Sequence, residues 1–206
     1  MNILKHVKTK LGNDIKLIGD DNSKKVLIIG VFHGEEPQGK FLIESYLKKN
    51  PLTGMLFIPC LNPDGMKEHK RTNANGVDLN RNFQTKNWEL TEKNEFFGGE
   101  SPASEIETRF LTEVIEHFKP KLILTLHAPF KIVNYDGPAK EIAEKIAKII
   151  GYPVEESIGY PTPGSFGTYC GVEKCIPTIT LELDEECPVQ DLIDPVHKIF
   201  DLLASL

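Results

Sequence analysis

Short, wholly apolar runs alternate with segments of helical spacing along this chain, and that alternation constrains its fold more than any other feature. Strands that are apolar at every position are typical of sheets buried on both faces. Alternation of such strands with helices favours a parallel sheet covered by helices. We therefore predict an α/β fold: a mixed, mostly parallel twisted sheet with helices on both faces. The predicted strands are 26–31, 55–59, 121–126 and 177–183, and the predicted helices are 37–49, 101–118, 138–150 and 191–203.

The chain of 206 residues shows no internal repeat and no low-complexity linker, so we predict one domain over residues 1–206. Hydrophobic residues are 40% and charged residues 26% of the sequence, as in ordinary globular proteins. The longest apolar runs, at 26–29 and 122–124, are far shorter than the roughly 20 residues that span a bilayer. No membrane span is expected.

The charge balance argues against a nucleic-acid partner. Thirty acidic against 24 basic side chains give a net charge of -6, whereas phosphate binding needs a basic surface. The first eight residues lack the apolar core of a secretory signal, and the four cysteines form no C-x-x-C pair, so we expect reduced thiols in a cytoplasmic protein. The alternative is a structural zinc site of Cys170, Cys175 and Cys187, which their spacing disfavours.

Chemically active side chains follow the predicted strands. Ligands of open α/β sheets bind at the carboxyl ends of the strands. His33 and Glu36 follow the first strand as an H-x-x-E pair, and His127 follows the third. Hydrolytic zinc sites use three protein ligands and keep one position open, and two histidines with a glutamate are one such set. Singly these residues are more often structural, but as a group they predict a zinc site.

Glu182 is the one carboxylate within an apolar strand-length run. Burying a carboxylate costs several kcal/mol unless it is paired or its pKa shifts. One interpretation is a salt bridge to a neighbouring lysine or arginine. The other is a general base beside a zinc site, which would move a proton during hydrolysis.

The segment 67–100 is rich in asparagine, glycine and charge, and its length favours a functional loop. Arg71 and Arg81 lie within it. Because the guanidinium fork matches planar anions, either arginine is a candidate to bind a carboxylate or a developing oxyanion.

Several motifs of this chain resemble those of the zinc carboxypeptidase (carboxypeptidase A-like) family, in the family's order and from about residue 26 to residue 184. The resemblance implies that His33, Glu36 and His127 bind one Zn²⁺, that Glu182 is the general base and that Arg71 stabilises the oxyanion. The matching motifs are HGEE at 33–36, NPDG at 62–65, GVDLNRNF at 76–83, His127 and TLEL at 180–183.

The same resemblance implies roles for further residues. Asn80 and Arg81 would bind the terminal carboxylate of the substrate, and Asp78 would orient His33 through its other ring nitrogen. Tyr160 lies near the family's substrate-capping tyrosine. Phe166 follows the serine at the place where digestive members have a residue at the floor of the specificity pocket.

The short chain and the segment 160–169 are most similar to the bacterial murein peptide amidases of this family. That subgroup hydrolyses the γ-D-glutamyl–diaminopimelate bond of murein tripeptide, so a small peptide is the implied partner. Asp184, Glu185 and Glu186 are candidates to attract the second ammonium group of diaminopimelate. Two alternatives stay open: an N-acyl amino acid deacylase of the aspartoacylase and succinylglutamate desuccinylase type, and a catalytically inactive zinc- or peptide-binding module.

Overall fold

The computed structural model describes residues 2–19, 26–50 and 54–206. In these residues eight strands form one sheet, accompanied by five α-helices. The strands are β1 (Asn2–Lys8), β2 (Asp14–Gly19), β3 (Val26–Gly30), β4 (Leu56–Ile58), β5 (Leu122–His127), β6 (Ile132–Asp136), β7 (Val154–Glu155) and β8 (Thr178–Glu182). The helices are α1 (Gln38–Lys49), α2 (Pro63–Glu68), α3 (Ile106–Phe118), α4 (Lys140–Ile150) and α5 (Ile193–Ala204).

The strands lie in the order β1-β2-β4-β3-β5-β8-β6-β7. The four central strands, β4, β3, β5 and β8, are parallel to one another. Antiparallel pairings join β2 to β4 and β6 to β8 on either side of them. The prediction of a mixed, mostly parallel sheet is therefore confirmed, and the parallel centre brings the carboxyl ends of β3, β5 and β8 to one edge.

Two apolar layers cover the sheet because successive side chains of a strand point to opposite faces. In β3, Ile28 packs in the layer formed with α1, α4 and α5. Its neighbours Leu27 and Ile29 pack in the other layer, which α3 covers. Helices thus lie on both faces, as predicted.

The predicted start of one helix is wrong. The segment 101–105 is not helical, and α3 begins at Ile106, because Asn82 binds this segment instead: its side chain accepts from the Glu105 N–H at 3.2 Å and donates to the Ser101 carbonyl at 3.2 Å. The short helix α2 was not predicted; it begins within the NPDG motif, where the Asn62 side chain caps it by accepting from the Gly65 N–H at 2.9 Å.

Four strands were not predicted, namely β1, β2, β6 and β7. β1 and β2 form an antiparallel hairpin at one edge of the sheet, and β6 pairs with β8 near the other edge. Across the described ranges 2–19, 26–50 and 54–206, the helices are too short or too polar to cross a membrane.

Candidate active site

The ends of three parallel strands bring the predicted site residues to one edge of the sheet. β3 ends three residues before His33, while His127 and Glu182 are the last residues of β5 and β8. The parallel register pairs Gly30 with Leu126 and His127 with Glu182. Residues that are distant in sequence therefore meet because the strand ends coincide.

His33, Glu36 and His127 form a compact cluster with its ligand atoms within 4.8 Å of one another. Glu36 lies between the imidazoles: its Oε1 is 2.7 Å from Nδ1 of His33 and its Oε2 is 3.1 Å from Nδ1 of His127. All three side chains are buried. Two imidazole nitrogens and a carboxylate in this arrangement fit a hydrolytic zinc site.

The turn that carries His33 and Glu36 packs tightly against α2. A Cβ at Gly34 would lie 2.0 Å from the backbone carbon of Gly65, so only glycine permits this approach. Within the turn, the Glu36 N–H donates to the His33 carbonyl at 3.2 Å. The two motifs HGEE and NPDG are therefore in contact, and each constrains the backbone of the other.

Opposite charges hold the cluster together. Burial by itself would raise the pKa of Glu36, but the charges of His33 and His127 outweigh it and lower that pKa to about 2. Burial would likewise lower the pKa of His33, whereas Glu36 and Asp78 raise it to about 9. The carboxylates around His33 thus favour positive charge at this place, which a metal ion supplies once the imidazole has lost its proton.

Asp78 is fully buried and fixes the orientation of His33. Its Oδ1 lies 3.2 Å from Nε2 of His33 and accepts from the Asn80 N–H at 2.8 Å. Its Oδ2 accepts from Nε of Arg71 at 3.0 Å and lies 2.9 Å from Nη2 of the same residue. A carboxylate on the far nitrogen leaves Nδ1 of His33 for a metal ion. Burial would raise the pKa of Asp78, but His33 and the two arginines hold it far below its usual range.

Asparagine side chains fold the loop that carries Asp78. The Oδ1 of Asn73 accepts from the N–H groups of Asn75, at 3.0 Å, and Val77, at 3.1 Å. Asn82 donates to the Gly98 carbonyl at 2.8 Å. Such local side-chain bonds replace secondary structure in a loop, and they hold the backbone of this segment although it has no helix or strand periodicity.

Arg71 lies beside the cluster with its guanidinium over the ring of Phe96, 5.0 Å from the ring centre. Besides its contacts with Asp78, Arg71 has its Nη1 3.9 Å from Oε1 of Glu35. Only 16% of its side-chain surface is exposed. A cation held in place at the rim of the metal cluster is suited to stabilise negative charge that develops on a substrate.

Arg81 and Asn80 lie together on the other side of Asp78. Arg81 is buried, and within the described residues no carboxylate lies in salt-bridge range of it. Its Nη1 donates to the Asn80 carbonyl at 2.7 Å, and Tyr160 forms a side-chain hydrogen bond with it. The Oδ1 of Asn80 accepts from the Phe166 N–H at 2.9 Å, which leaves the amide N–H groups of Asn80 as donors.

Glu182 is only 6% exposed, and in the described part of the chain its Oε2 has no hydrogen-bond partner. Glu182 forms no salt bridge with a lysine or arginine among the described residues, which was the alternative interpretation of this carboxylate. Burial raises the pKa of Glu182, with a further contribution from Glu36, while His127 and His33 act in the opposite direction. A buried carboxylate with a raised pKa and a free oxygen is suited to accept and return a proton.

The structure separates the two aromatic residues that the resemblance implied for substrate binding. Tyr160 is 44% exposed and borders a cavity that Glu36 and Arg71 also line. The ring of Phe166 lies in the core, 5.2 Å from the ring of Phe32 and 5.1 Å from that of Phe83. Only its backbone faces Asn80, so we do not include the Phe166 ring among the proposed substrate contacts.

Two cavities meet at this cluster and share Tyr160. One, of about 370 Å³, is bordered by Glu36 and Arg71. The other, of about 130 Å³, is bordered by Glu182 and Asn80. The general-base candidate and the carboxylate-binding candidate therefore face the same small cavity.

Sequence reasoning missed Asn134 and Asp136, which also line the small cavity. The signal was present as polar residues alternating with Val133 and Tyr135, but the strand was not predicted. The alternative zinc site of three cysteines is not formed: in residues 2–19, 26–50 and 54–206 the group able to hold one ion is His33, Glu36 and His127.

Comparison with known proteins agrees with this geometry. The chain is 34% identical to murein peptide amidase A of Escherichia coli (strain K12) over 160 residues, which are 70% of this chain and 65% of that enzyme. It thus spans slightly less than two thirds of that relative. It is 33% identical to murein peptide amidase A of Vibrio campbellii over 181 residues, covering 80% of this chain and 71% of the relative.

Solved structures show the same fold. Murein-tripeptide amidase MpaA from Escherichia coli O157 superposes with a TM-score of 0.87 and 27% identity over 98% of this chain and 91% of that one. Carboxypeptidase A from Helicoverpa armigera gives a TM-score of 0.75 at 18% identity, over 99% of this chain and 69% of that one. The sequence profile of Peptidase M14, zinc carboxypeptidase, matches residues 8–143. The chain belongs to the zinc carboxypeptidase family.

Proposed function

We propose that this protein is a zinc-dependent amidase of small peptides that carry a free carboxylate, with the γ-D-glutamyl–meso-diaminopimelate bond of murein tripeptide as its substrate. The observation that carries the proposal is the unpartnered, buried Oε2 of Glu182 at the same sheet edge as His33, Glu36 and His127. The similarity to two murein peptide amidases supports the choice of substrate.

In this proposal, His33, Glu36 and His127 hold one Zn²⁺. Bound zinc polarises a carbonyl group and lowers the pKa of water to about 7. Asp78 keeps His33 in the orientation that presents Nδ1 to the ion.

The substrate is positioned by its free carboxylate. Arg81 is buried without a carboxylate partner among the described residues, so an anionic ligand supplies the missing charge. The amide of Asn80 adds hydrogen-bond donors beside it. Tyr160, hydrogen-bonded to Arg81 and bordering both cavities, covers the bound peptide.

Glu182 moves the proton. The oxygen of a water bonds to the carbonyl carbon, and Glu182 accepts the proton that the water loses. Glu182 then donates this proton to the leaving nitrogen as the C–N bond breaks, so the products are a carboxylic acid and an amine. Arg71 stabilises the negative charge on the carbonyl oxygen between the two steps.

The direct test is to incubate zinc-loaded protein with murein tripeptide and, separately, with N-succinylglutamate, and to measure amine release. We expect release from the tripeptide, loss of activity after treatment with a chelator and recovery when zinc is added. Preferential turnover of N-succinylglutamate would assign the protein to the deacylases instead. Zinc binding without turnover of either compound would contradict catalysis and favour a binding module.

We also propose that the protein acts in the cytoplasm, on peptides recovered from the cell wall. Fractionation of cells, with the protein detected by an antibody, tests this. Its presence outside the cytoplasmic fraction would contradict the proposal.

A further inference from the structure

The small cavity beside Glu182 has one wall made by the polar face of β6. Val133 and Tyr135 point into the apolar layer under α4 and α5. Asn134 and Asp136, which alternate with them, point to the opposite face and line the cavity. At about 130 Å³ the cavity is several times larger than the roughly 30 Å³ of one liquid water. It has room for one amino-acid side chain.

The strand register determines where the cavity leads. β6 runs antiparallel to β8, so that Ile132 lies opposite Glu182, Asn134 opposite Thr180 and Asp136 opposite Thr178. Asp136 lies four residues along β6 from Ile132, the residue opposite Glu182. At roughly 3.3 Å per residue, this places Asp136 about 13 Å along the strand direction from Glu182. The cavity therefore extends from the general-base candidate, at the cluster, to Asp136 at its far end.

Two glycines create the space for the Asp136 carboxylate. A Cβ at Gly167 would lie 2.1 Å from Oδ2 of Asp136, and a Cβ at Gly171 would lie 2.3 Å from the Cβ of Asp136. The side chain of Asp136 forms no hydrogen bond or ion pair with any described residue. Burial raises its pKa to about 6, which agrees with the lack of a compensating cation.

The described cavity lining contains carboxylates but no lysine or arginine. Glu156 also borders the cavity, and its side chain is hydrogen-bonded to Tyr135. Glu182 borders it too, with its Oε2 unpartnered and 6% residue exposure. Asn80, the proposed contact of the substrate carboxylate, also borders the cavity. A ligand that suits this arrangement has a carboxylate near Asn80 and a positive charge several bonds away.

We propose that Asp136 determines substrate specificity by binding an ammonium group on the leaving residue's side chain. This inference rests on the proposed function, because it assigns the small cavity to the residue that leaves as the amine. Lysine and diaminopimelate both have such an ammonium group, separated from the α-carbon by a four-carbon chain. The acidic segment considered from the sequence does not occupy this place: Asp184 is paired with Lys131 at 2.8 Å and is not part of the lining.

The test is binding of L-lysine and of L-norleucine to zinc-loaded protein, measured by isothermal titration calorimetry. The two amino acids differ at the chain end, where lysine has an ammonium group and norleucine a methyl group. We expect lysine to bind about tenfold more tightly or better, since hydrogen bonds to charged groups contribute that much. In Asp136→Asn, which keeps the side-chain shape, we expect this preference to be lost. Glu116→Gln removes a charge from the exposed side of α3 and is the matched control.

Equal affinity of the wild-type protein for the two amino acids, or no measurable binding of either, would overturn the inference whether or not the variant folds. Retention of the lysine preference in Asp136→Asn would overturn the assignment to Asp136. These outcomes are independent of turnover. A lysine preference without amide hydrolysis would leave the inference standing and contradict the proposed function, whereas hydrolysis without the preference would do the reverse.

Discussion

Two adjoining regions of this molecule treat buried charge in opposite ways. In and around the cluster of His33, Glu36 and His127, each carboxylate has close polar partners: Glu36 lies within 3.1 Å of both imidazoles, and Asp78 lies within 3.2 Å of His33 and Arg71. In the small cavity beside it, Glu182 and Asp136 form no salt bridge with any described residue, and Oε2 of Glu182 has no hydrogen-bond partner there. The same fold thus contains a compensated region, in which buried charges are paired, and next to it an uncompensated region, in which the carboxylates are not.

The difference indicates how each region is used. Paired charges hold ligand atoms in fixed positions, and breaking such a pair leaves an uncompensated charge. An unpaired carboxylate away from water lowers the free energy of unfolding. Proteins therefore retain such a group where it transfers a proton or binds a ligand. We therefore expect substitutions in the first region to lower stability and metal affinity, and substitutions in the second to change activity or to increase stability.

The largest effect is expected for Glu182→Gln, in the uncompensated region. Loss of the group that moves the proton lowers kcat about 100- to 10,000-fold. Zinc content, measured by atomic absorption, stays the same because Glu182 is not one of the three proposed ligands. Activity close to that of the wild type would remove Glu182 from the mechanism.

Arg71→Ala tests the edge of the compensated region. We expect kcat to fall about 100- to 1,000-fold with little change in KM, since the arginine acts on charge that develops only during the reaction. Steady-state kinetics on murein tripeptide separates the two parameters. A rise in KM with unchanged kcat would show that Arg71 binds the substrate and does not stabilise the transition state.

Asp78→Asn tests the compensated region itself. Loss of the carboxylate beside His33 lowers zinc affinity about 10- to 100-fold, which competition with a chromophoric chelator measures. The free energy of unfolding of the metal-free protein falls by about 3 to 5 kcal/mol, because the charges of His33 and Arg71 lose their partner. Unchanged values in both experiments would mean that the pairing around Asp78 has no role in holding the ligand.

The smallest effect is expected for Asp136→Asn. This substitution raises the free energy of unfolding, whereas Asp78→Asn lowers it. Because the folded-state pKa of about 6 is above the ordinary value of 3.8, ionisation of Asp136 weakens the folded state as pH rises through that interval. The variant is therefore more stable than the wild type at pH 8, by up to about 3 kcal/mol, and about equal to it at pH 4. Urea unfolding at the two pH values measures this, with Glu116→Gln as the control. Destabilisation at pH 8 would show that Asp136 is compensated after all.

Much of the site was predictable because local patterns determine it. The apolar runs predicted the central strands, and the positions of His33, His127 and Glu182 after or within those runs predicted that they would meet. The NPDG motif and the loop around Asp78 came from the resemblance, since no periodicity marks them. Asn134 and Asp136 were missed because a half-polar strand has little apolar signal of its own.

The sequence by itself determined the chemistry available to this protein and the central strands that bring it to one edge. The tertiary structure decided which charges are compensated, that the Phe166 ring lies in the core, and that β6 faces the cavity with its two polar side chains. The reason is that strand periodicity is encoded by neighbouring residues. Desolvation and charge pairing instead depend on residues that approach only when the sheet, the loop and the glycines at 167 and 171 are assembled.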